Sequence, residues 1–171
     1  MNLTCTIKCI ALVIITSATA CWGLNSDNNQ LLHISSNQAT IDFQTGTVSY
    51  IGNVLANQGT RQLTGNKLKV NKAKTGGAQD VTAYGNPAKA QYQPTVESKL
   101  ARGQAKMITY EFTSHIFKFQ NDARLEQNNN VFTGPLIIYN TTSKVVHSPT
   151  NQLQPTTIIL PPYNQEKPPH D

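Results

Sequence analysis

Apolar and polar side chains alternate along this chain in short runs, broken about every ten residues by Gly, Asn or Pro. The stretch Tyr50 to Asn71 sets the pattern, reading as a strand, a turn at Gln58-Gly59 and a second strand. Successive side chains of a strand point to opposite faces. Val48 and Tyr50 therefore share a face with Val54 and Ala56, while Ser49, Asn53 and Asn57 take the other. Phe117, Phe119, Ala123 and Leu125 stand in the same relation to Lys118, Asp122 and Glu126.

The pattern recurs. Adding 69 to each position from Asp42 to Asn71 lands on Glu111 to Asn140 without a gap, and Phe43, Val48, Tyr50, Val54, Ala56, Leu63, Leu68 and Val70 fall on Phe112, Phe117, Phe119, Ala123, Leu125, Phe132, Ile137 and Tyr139. Only Phe43, Gln58, Thr64, Gly65 and Asn71 are identical to their counterparts, so duplication and simple β alternation both account for the match.

Strands are expected at about 31–36, 39–43, 47–57, 61–71, 79–84, 88–93, 106–113, 116–127, 131–139 and 143–147, with a short last one at Ile158-Ile159-Leu160. Turns are expected at Gln44-Thr45-Gly46, Gly76-Gly77, Gly85-Asn86-Pro87 and Asn128-Asn129-Asn130. No segment after the N-terminal apolar run keeps helical spacing for three turns. The best, Glu97 to Met107, contains Gly103 and lacks large apolar residues, and the stretch from Ala101 reads as a loop running into a strand with Ile108, Tyr110 and Phe112 alternating. The class is all-β.

Composition changes the picture at the ends. The start, MNLTCTIK followed by CIALVIITSATA, has the layout of a secretory signal peptide cleaved after Ala20. A spanning helix needs about 20 apolar residues, and the polar SDNNQ stops this run short. Cleavage leaves Cys21 as the only cysteine, so no internal disulfide is expected. Ala18-Thr19-Ala20-Cys21 is a distant relative of a lipoprotein box, and lipidation of Cys21 is the less favoured alternative. The expected organisation is a signal peptide at 1–20, a polar linker at 21–30, a β domain at 31–148 and a proline-rich tail at 149–171.

Charge adds little. The chain carries 14 Lys and Arg against 9 Asp and Glu. The densest basic run, Lys67, Lys69, Lys72 and Lys74, lacks interleaved aromatics and reads as a solvated strand edge, so nucleic acid is not an expected partner. No phosphate loop, dinucleotide fingerprint or nucleophile elbow is present. His33, His115, His147 and His170 are isolated in sequence, and the matched Asp42 and Glu111 read as solvated strand-end carboxylates. Neither a catalytic residue nor a metal or other cofactor is expected. What remains is a one-sided apolar pattern, with small Ala56, Ala88, Ala90 and Ala123 among its inward positions. Parity leaves open whether that face is a sealed core or a groove.

His33-Ile34-x-Ser, the Asp42 strand, Tyr50-x-Gly52-Asn53-Val54, Gln58-Gly59, Gly76-Gly77, Tyr84-Gly85-x-Pro87-Ala88 and Tyr110-Glu111 follow one another in order over about residues 31 to 147. In this the chain resembles the OstA-like family, the LptA-type periplasmic lipopolysaccharide-transport proteins. It departs where Ala90 replaces a larger aromatic, with Tyr92 two positions on, and in the tail. The resemblance implies an open, slightly twisted antiparallel β-jelly roll, V-shaped in section, located in the periplasm of a Gram-negative bacterium. The implied role is a bridge that holds the lipid A part of lipopolysaccharide in an apolar groove between the inner and outer membranes.

Strand parity and the family positions together give the expected groove lining: Leu32, Ile34, Ile41, Phe43, Val48, Tyr50, Val54, Leu63, Ala90, Tyr92, Tyr110, Phe112, Phe117 and Phe119. The implied partners are lipopolysaccharide, an inner-membrane anchored transport component at the edge near Leu31 to Ser36, an outer-membrane translocon at the edge near Val131 to Val146, and further copies of the chain head to tail. Two alternatives are the membrane-anchored component of the same pathway and a secreted β-rich structural or adhesion protein.

Overall fold

The computed structural model describes residues 27–74, 76–93, 98–149 and 155–162. The expected signal peptide lies outside the described residues, as do most of the expected linker and the end of the tail. After a 3₁₀ turn at Asp27–Asn29, the described residues form ten strands: β1 (His33–Ser35), β2 (Gln38–Asp42), β3 (Thr47–Gln58), β4 (Arg61–Lys72), β5 (Ala78–Tyr92), β6 (Ala101–Glu111), β7 (Ile116–Gln127), β8 (Asn130–Asn140), β9 (Val145–His147) and β10 (Thr157–Ile159). All belong to one antiparallel sheet, ordered β1-β3-β4-β5-β6-β7-β8-β10, with β2 also on β3 and β9 also on β8. The first and last strands do not pair, so the sheet is open. Each edge is split between two short strands.

The long strands do not run straight. The ladder slips between Ile51 and Val54, Thr64 and Lys67, Tyr84 and Ala88, Gln104 and Met107, and Gln120 and Ala123, which places a line of bulges across the middle of the sheet. Bulges bend a strand and sharpen its twist, and here they fold every long strand at the same level. Gly65 and Gly85 lie on that line. A Cβ on Gly65 would stand 2.6 Å from the Tyr84 carbonyl oxygen, and one on Gly85 2.5 Å from the Ala88 nitrogen.

The fold is large. Gln127 pairs with Asn130, nine residues along β8 from Tyr139, a separation of about 30 Å in a straight strand. Yet Gln127 Nε2 donates to the Tyr139 hydroxyl at 3.3 Å. The two halves of the sheet close on each other like the leaves of a V, and the core fills the space between them. This is the open, V-shaped jelly roll that the family resemblance implied.

The repetition is built into the backbone. β3 and β7 begin and end 69 positions apart, and their slips against β4 and β8 fall at matching sites. Positive φ recurs at the same spacing, in Gly46 and His115 and in the bulge pairs Gly52-Asn53 and Asn121-Asp122. Lys72 N donates to the Gly46 carbonyl at 3.0 Å, and Thr141 N to the His115 carbonyl at 2.9 Å.

Three expectations are corrected. Gly85-Asn86-Pro87 is a bulge inside one 15-residue strand and not a turn, because β4 and β6 pair with β5 on both sides of it. The strand expected from about residue 106 begins at Ala101, where Ala101, Gly103 and Ala105 alternate inward with too little bulk to stand out in the sequence. The basic run does not lie on a sheet edge, since β4 is flanked by β3 and β5.

Candidate functional site: an apolar interior between two leaves

Antiparallel pairing places cross-strand partners on one face, and the register carries three apolar rows across the sheet. The first runs Ile34, Ala56, Leu63, Ala90, Gly103, Leu125, Phe132, Ile158. The second runs Ile41, Val48, Val70, Val81, Tyr110, Phe117, Tyr139, Val146. The third runs Ala39, Tyr50, Leu68, Ala83, Ile108, Phe119, Ile137. The first row belongs to one leaf and the other two to the opposite leaf.

The leaves meet through aromatic rings. Phe117 sits 4.5 Å from its cross-strand partner Tyr110 and 5.8 Å from Phe119, and Tyr92 of the opposite leaf reaches both Phe117 and Tyr139 at 6.5 Å, all between centroids. Phe112 stands edge-on to Tyr110 at 5.1 Å. Such pairs add about 0.5–1.5 kcal/mol each beyond the area they bury. Burial pushes the hydroxyls of Tyr92, Tyr110 and Tyr139 above the ordinary tyrosine range, with Arg61 opposing the shift at the first two and the Gln127 hydrogen bond opposing it at Tyr139.

The open side of the V is bridged from rim to rim. Arg61, at the start of β4, lies 4.6 Å over the Tyr110 ring and 5.8 Å from that of Tyr92. Beneath it a cleft of about 20 Å³ is lined by Leu32, Ala56, Leu63, Val81, Tyr110, Phe112 and Phe117 among others. That is room for about one water molecule and far too little for an acyl chain. The interior is packed, with Leu32, Ile34, Tyr50, Phe112, Phe132 and Val146 half-buried at its margins.

Of the fourteen residues expected to line the groove, Val48, Val54, Leu63, Ala90, Tyr110, Phe117 and Phe119 are buried between the leaves, and Leu32, Ile34, Tyr50, Tyr92 and Phe112 pack half-buried against that core. Ile41 continues the second row at the β2 edge, 49% exposed, and Phe43 lies in the turn beyond it, 86% exposed. Leu68, Val70, Val81, Ile108, Ile137 and Tyr139 share the interior but were outside the expected lining. Their alternation was legible in the same way. Arg61, Asp27 and Gln58 had no such signal, because what makes them distinctive is contact across turns and leaves.

Both sheet edges leave apolar side chains in water. Leu31 is exposed beside β1, as are Val145 in β9, Ile158 and Ile159 in β10, and Leu160 next to it. Asp42 and Glu111, matched in the repeat, each brace the turn after their strand. Asp42 Oδ1 accepts the backbone N–H groups of Gln44 and Thr45, and Glu111 accepts from Ser114 and pairs with Lys118 at 2.5 Å. Their pKa values are lowered, by the Thr45 hydrogen bonds first at Asp42 and by the Lys118 hydrogen bond first at Glu111.

Comparison with known proteins agrees with this geometry. The chain is 29% identical over 125 residues to the lipopolysaccharide export system protein LptH of Pseudomonas aeruginosa, covering 73% of this chain and 71% of that protein. It is 26% identical over 162 residues to the lipopolysaccharide export system protein LptA of Escherichia coli K12, covering 92% and 86%. The crystal structure of LptH, described as the LptA-homologous periplasmic component of the lipopolysaccharide transport device of P. aeruginosa, superposes with a TM-score of 0.73 at 26% identity, covering 81% of this chain and 100% of that one. The family described as LptA/(LptD N-terminal domain) LPS transport protein matches residues 33–145, about two thirds of the sequence. With its bulge-folded open sheet and its edge-to-edge apolar rows, the chain belongs to that family of lipopolysaccharide transport proteins.

Proposed function

We propose that this chain is a periplasmic bridge component of a lipopolysaccharide export system, a carrier and not an enzyme, which holds the lipid A acyl chains between its two leaves. The observation that supports this reading is the continuity of the three apolar rows. They cross the sheet without a charged interruption and run out at unpaired edges. Each buried methylene contributes about 0.8 kcal/mol, so an acyl chain gains strongly from a continuous apolar path. The sugar part stays in water outside the open side of the V.

In the packed state the interior has no room for an acyl chain, so loading separates the leaves. The contacts that resist this are the aromatic pairs and the Arg61 and Gln127 bridges across the rims. The half-buried end positions Leu32, Ile34, Tyr50 and Phe112 are the entry points.

The split edges serve as docking surfaces by strand addition. The β1 and β2 edge faces an inner-membrane anchored component and the β8 to β10 edge an outer-membrane translocon. Joining the two edges of successive copies extends the rows head to tail, a heterologous contact that builds an open filament. The test is photocrosslinking in cells from Ile34, Leu32, Tyr110 and Phe112. Adducts to lipopolysaccharide are expected, and their absence from all four positions overturns the assignment.

A further inference from the structure

Arg61 is a buried cation at the boundary between the apolar cleft and the rim, and the carboxylate that answers it comes from outside the sheet. The Arg61 side chain is 10% exposed. Its Nη1 donates to Gln58 Oε1 at 2.9 Å, and its Nε lies 3.5 Å from Asp27 Oδ2. Asp27 belongs to the three-residue 3₁₀ turn that precedes β1, and its carboxylate fastens that turn to the β3 to β4 connection. Oδ1 accepts from Thr60 N at 2.8 Å and Oδ2 from Thr60 Oγ1 at 2.7 Å. A Cβ on Gly59 would overlap this carboxylate, so the turn itself is shaped to admit it. Gln58 Nε2 secures the segment again by donating to the Gln30 carbonyl at 3.0 Å.

An apolar side chain at position 61 would close the rim at least as well, because a buried ion pair is no more stabilising than well-packed hydrophobic replacements. The charge therefore calls for another account. On one side of the guanidinium lie Leu63, Phe112 and Phe117, and on the other a carboxylate carried by a short segment that is not part of the sheet. A cation at the end of an apolar cleft, covered by an acid from the same chain, matches a ligand with an apolar tail and an anionic head.

We propose that Arg61 recognises the phosphate of a phosphorylated acyl lipid, and that Asp27 is the resident counter-ion whose place the phosphate takes. A guanidinium can give a phosphate two parallel N–H donors, a stronger arrangement than the 3.5 Å contact of Nε with Asp27 Oδ2. Displacement of Asp27 undoes its bonds to Thr60 and leaves the segment held to the rim by the Gln58–Gln30 hydrogen bond, so that head-group recognition loosens the cover of the cleft. This inference rests on the lipid-carrier reading and adds the chemistry by which the cargo is selected.

The purified full chain is titrated with bisphosphorylated lipid A, with the same lipid freed of its phosphates, and with inorganic phosphate alone. The readout is the ratio of the two lipid affinities. Wild type should prefer the phosphorylated lipid by roughly tenfold or more, the scale of a hydrogen-bonded charge contact. R61Q should bring that ratio to about one, R61K should retain part of it, and D27N, which removes the competing charge and leaves Arg61 in place, should raise it. The proposal is overturned if R61Q weakens both lipids equally, if D27N lowers the ratio, or if inorganic phosphate alone binds as tightly as the lipid. Failure of the wild type to bind either lipid overturns the carrier reading itself.

Discussion

The Phe119 ring packs against Gly103, so close that a Cβ at position 103 would overlap it. The two residues come from opposite leaves, and their contact sets how near the leaves approach. G103A is therefore expected to destabilise the protein by about 1–3 kcal/mol, the usual scale of overpacking. Replacing the ring as well, in G103A/F119L, should recover part of the loss. Urea unfolding of both variants checks this, and an equal loss in the double variant would show that the strain lies elsewhere.

The tyrosines between the leaves make stability depend on alkaline pH. Burial raises the pKa of Tyr92, Tyr110 and Tyr139 above the ordinary 10.0, so the folded state favours the protonated phenols. Their contribution is complete below about pH 10 and is lost as pH rises through the raised values. The urea midpoint should fall between about pH 9 and about pH 11. Y139F removes one of these groups and should flatten the fall, and an unchanged slope in Y139F would contradict the assignment.

At the other end of the scale, Glu111 has a lowered pKa owing first to the hydrogen bond from Lys118 and then to that from Ser114. The stability it contributes is present above the ordinary glutamate range and lost as pH falls through the lowered value. E111Q should therefore lower stability near neutral pH by less than about 1 kcal/mol, as expected of a half-exposed pair, and lower it less in acid. Unfolding of the two proteins across the acid range tests the sign.

Edge association is separable from folding. Ile159 is 58% exposed in the outermost strand. A lysine there should change fold stability by no more than about 0.5 kcal/mol while blocking strand addition. Sedimentation at rising concentration should show head-to-tail oligomers for the wild type and not for I159K. Persistence of the oligomers in I159K would move the contact away from β10.

Most of the scaffold was legible because its signals are local and repeated. β7 occupies the expected 116–127, and β3 and β4 end within one residue of expectation, since dense alternation is interrupted there by turns rich in Gly, Asn, Ser and Thr. The inner face was legible for the same reason. At the bulge line Gly52 and Asn53 of β3 stand opposite Asn66 of β4 alone, and the inward positions Val48, Tyr50, Val54 and Ala56 stay even through it. What the alternation does not encode is contact between leaves. Nothing local to Arg61 announces a tyrosine 49 positions away, or an aspartate ahead of the first strand. The state of the interior was equally hidden, because a row of small residues such as Ala88, Ala90 and Gly103 serves a groove or a tight seam, and only the seating of Phe119 distinguishes the two.

The two split edges give the molecule a unit of length. Its main path is eight strands wide, about 38 Å at the usual 4.8 Å spacing between neighbours. In the proposed bridge the cargo travels across the strands and not along them. On that proposal a row of copies is a track graduated in strand widths, and the gap between two membranes would be spanned by a whole number of such increments.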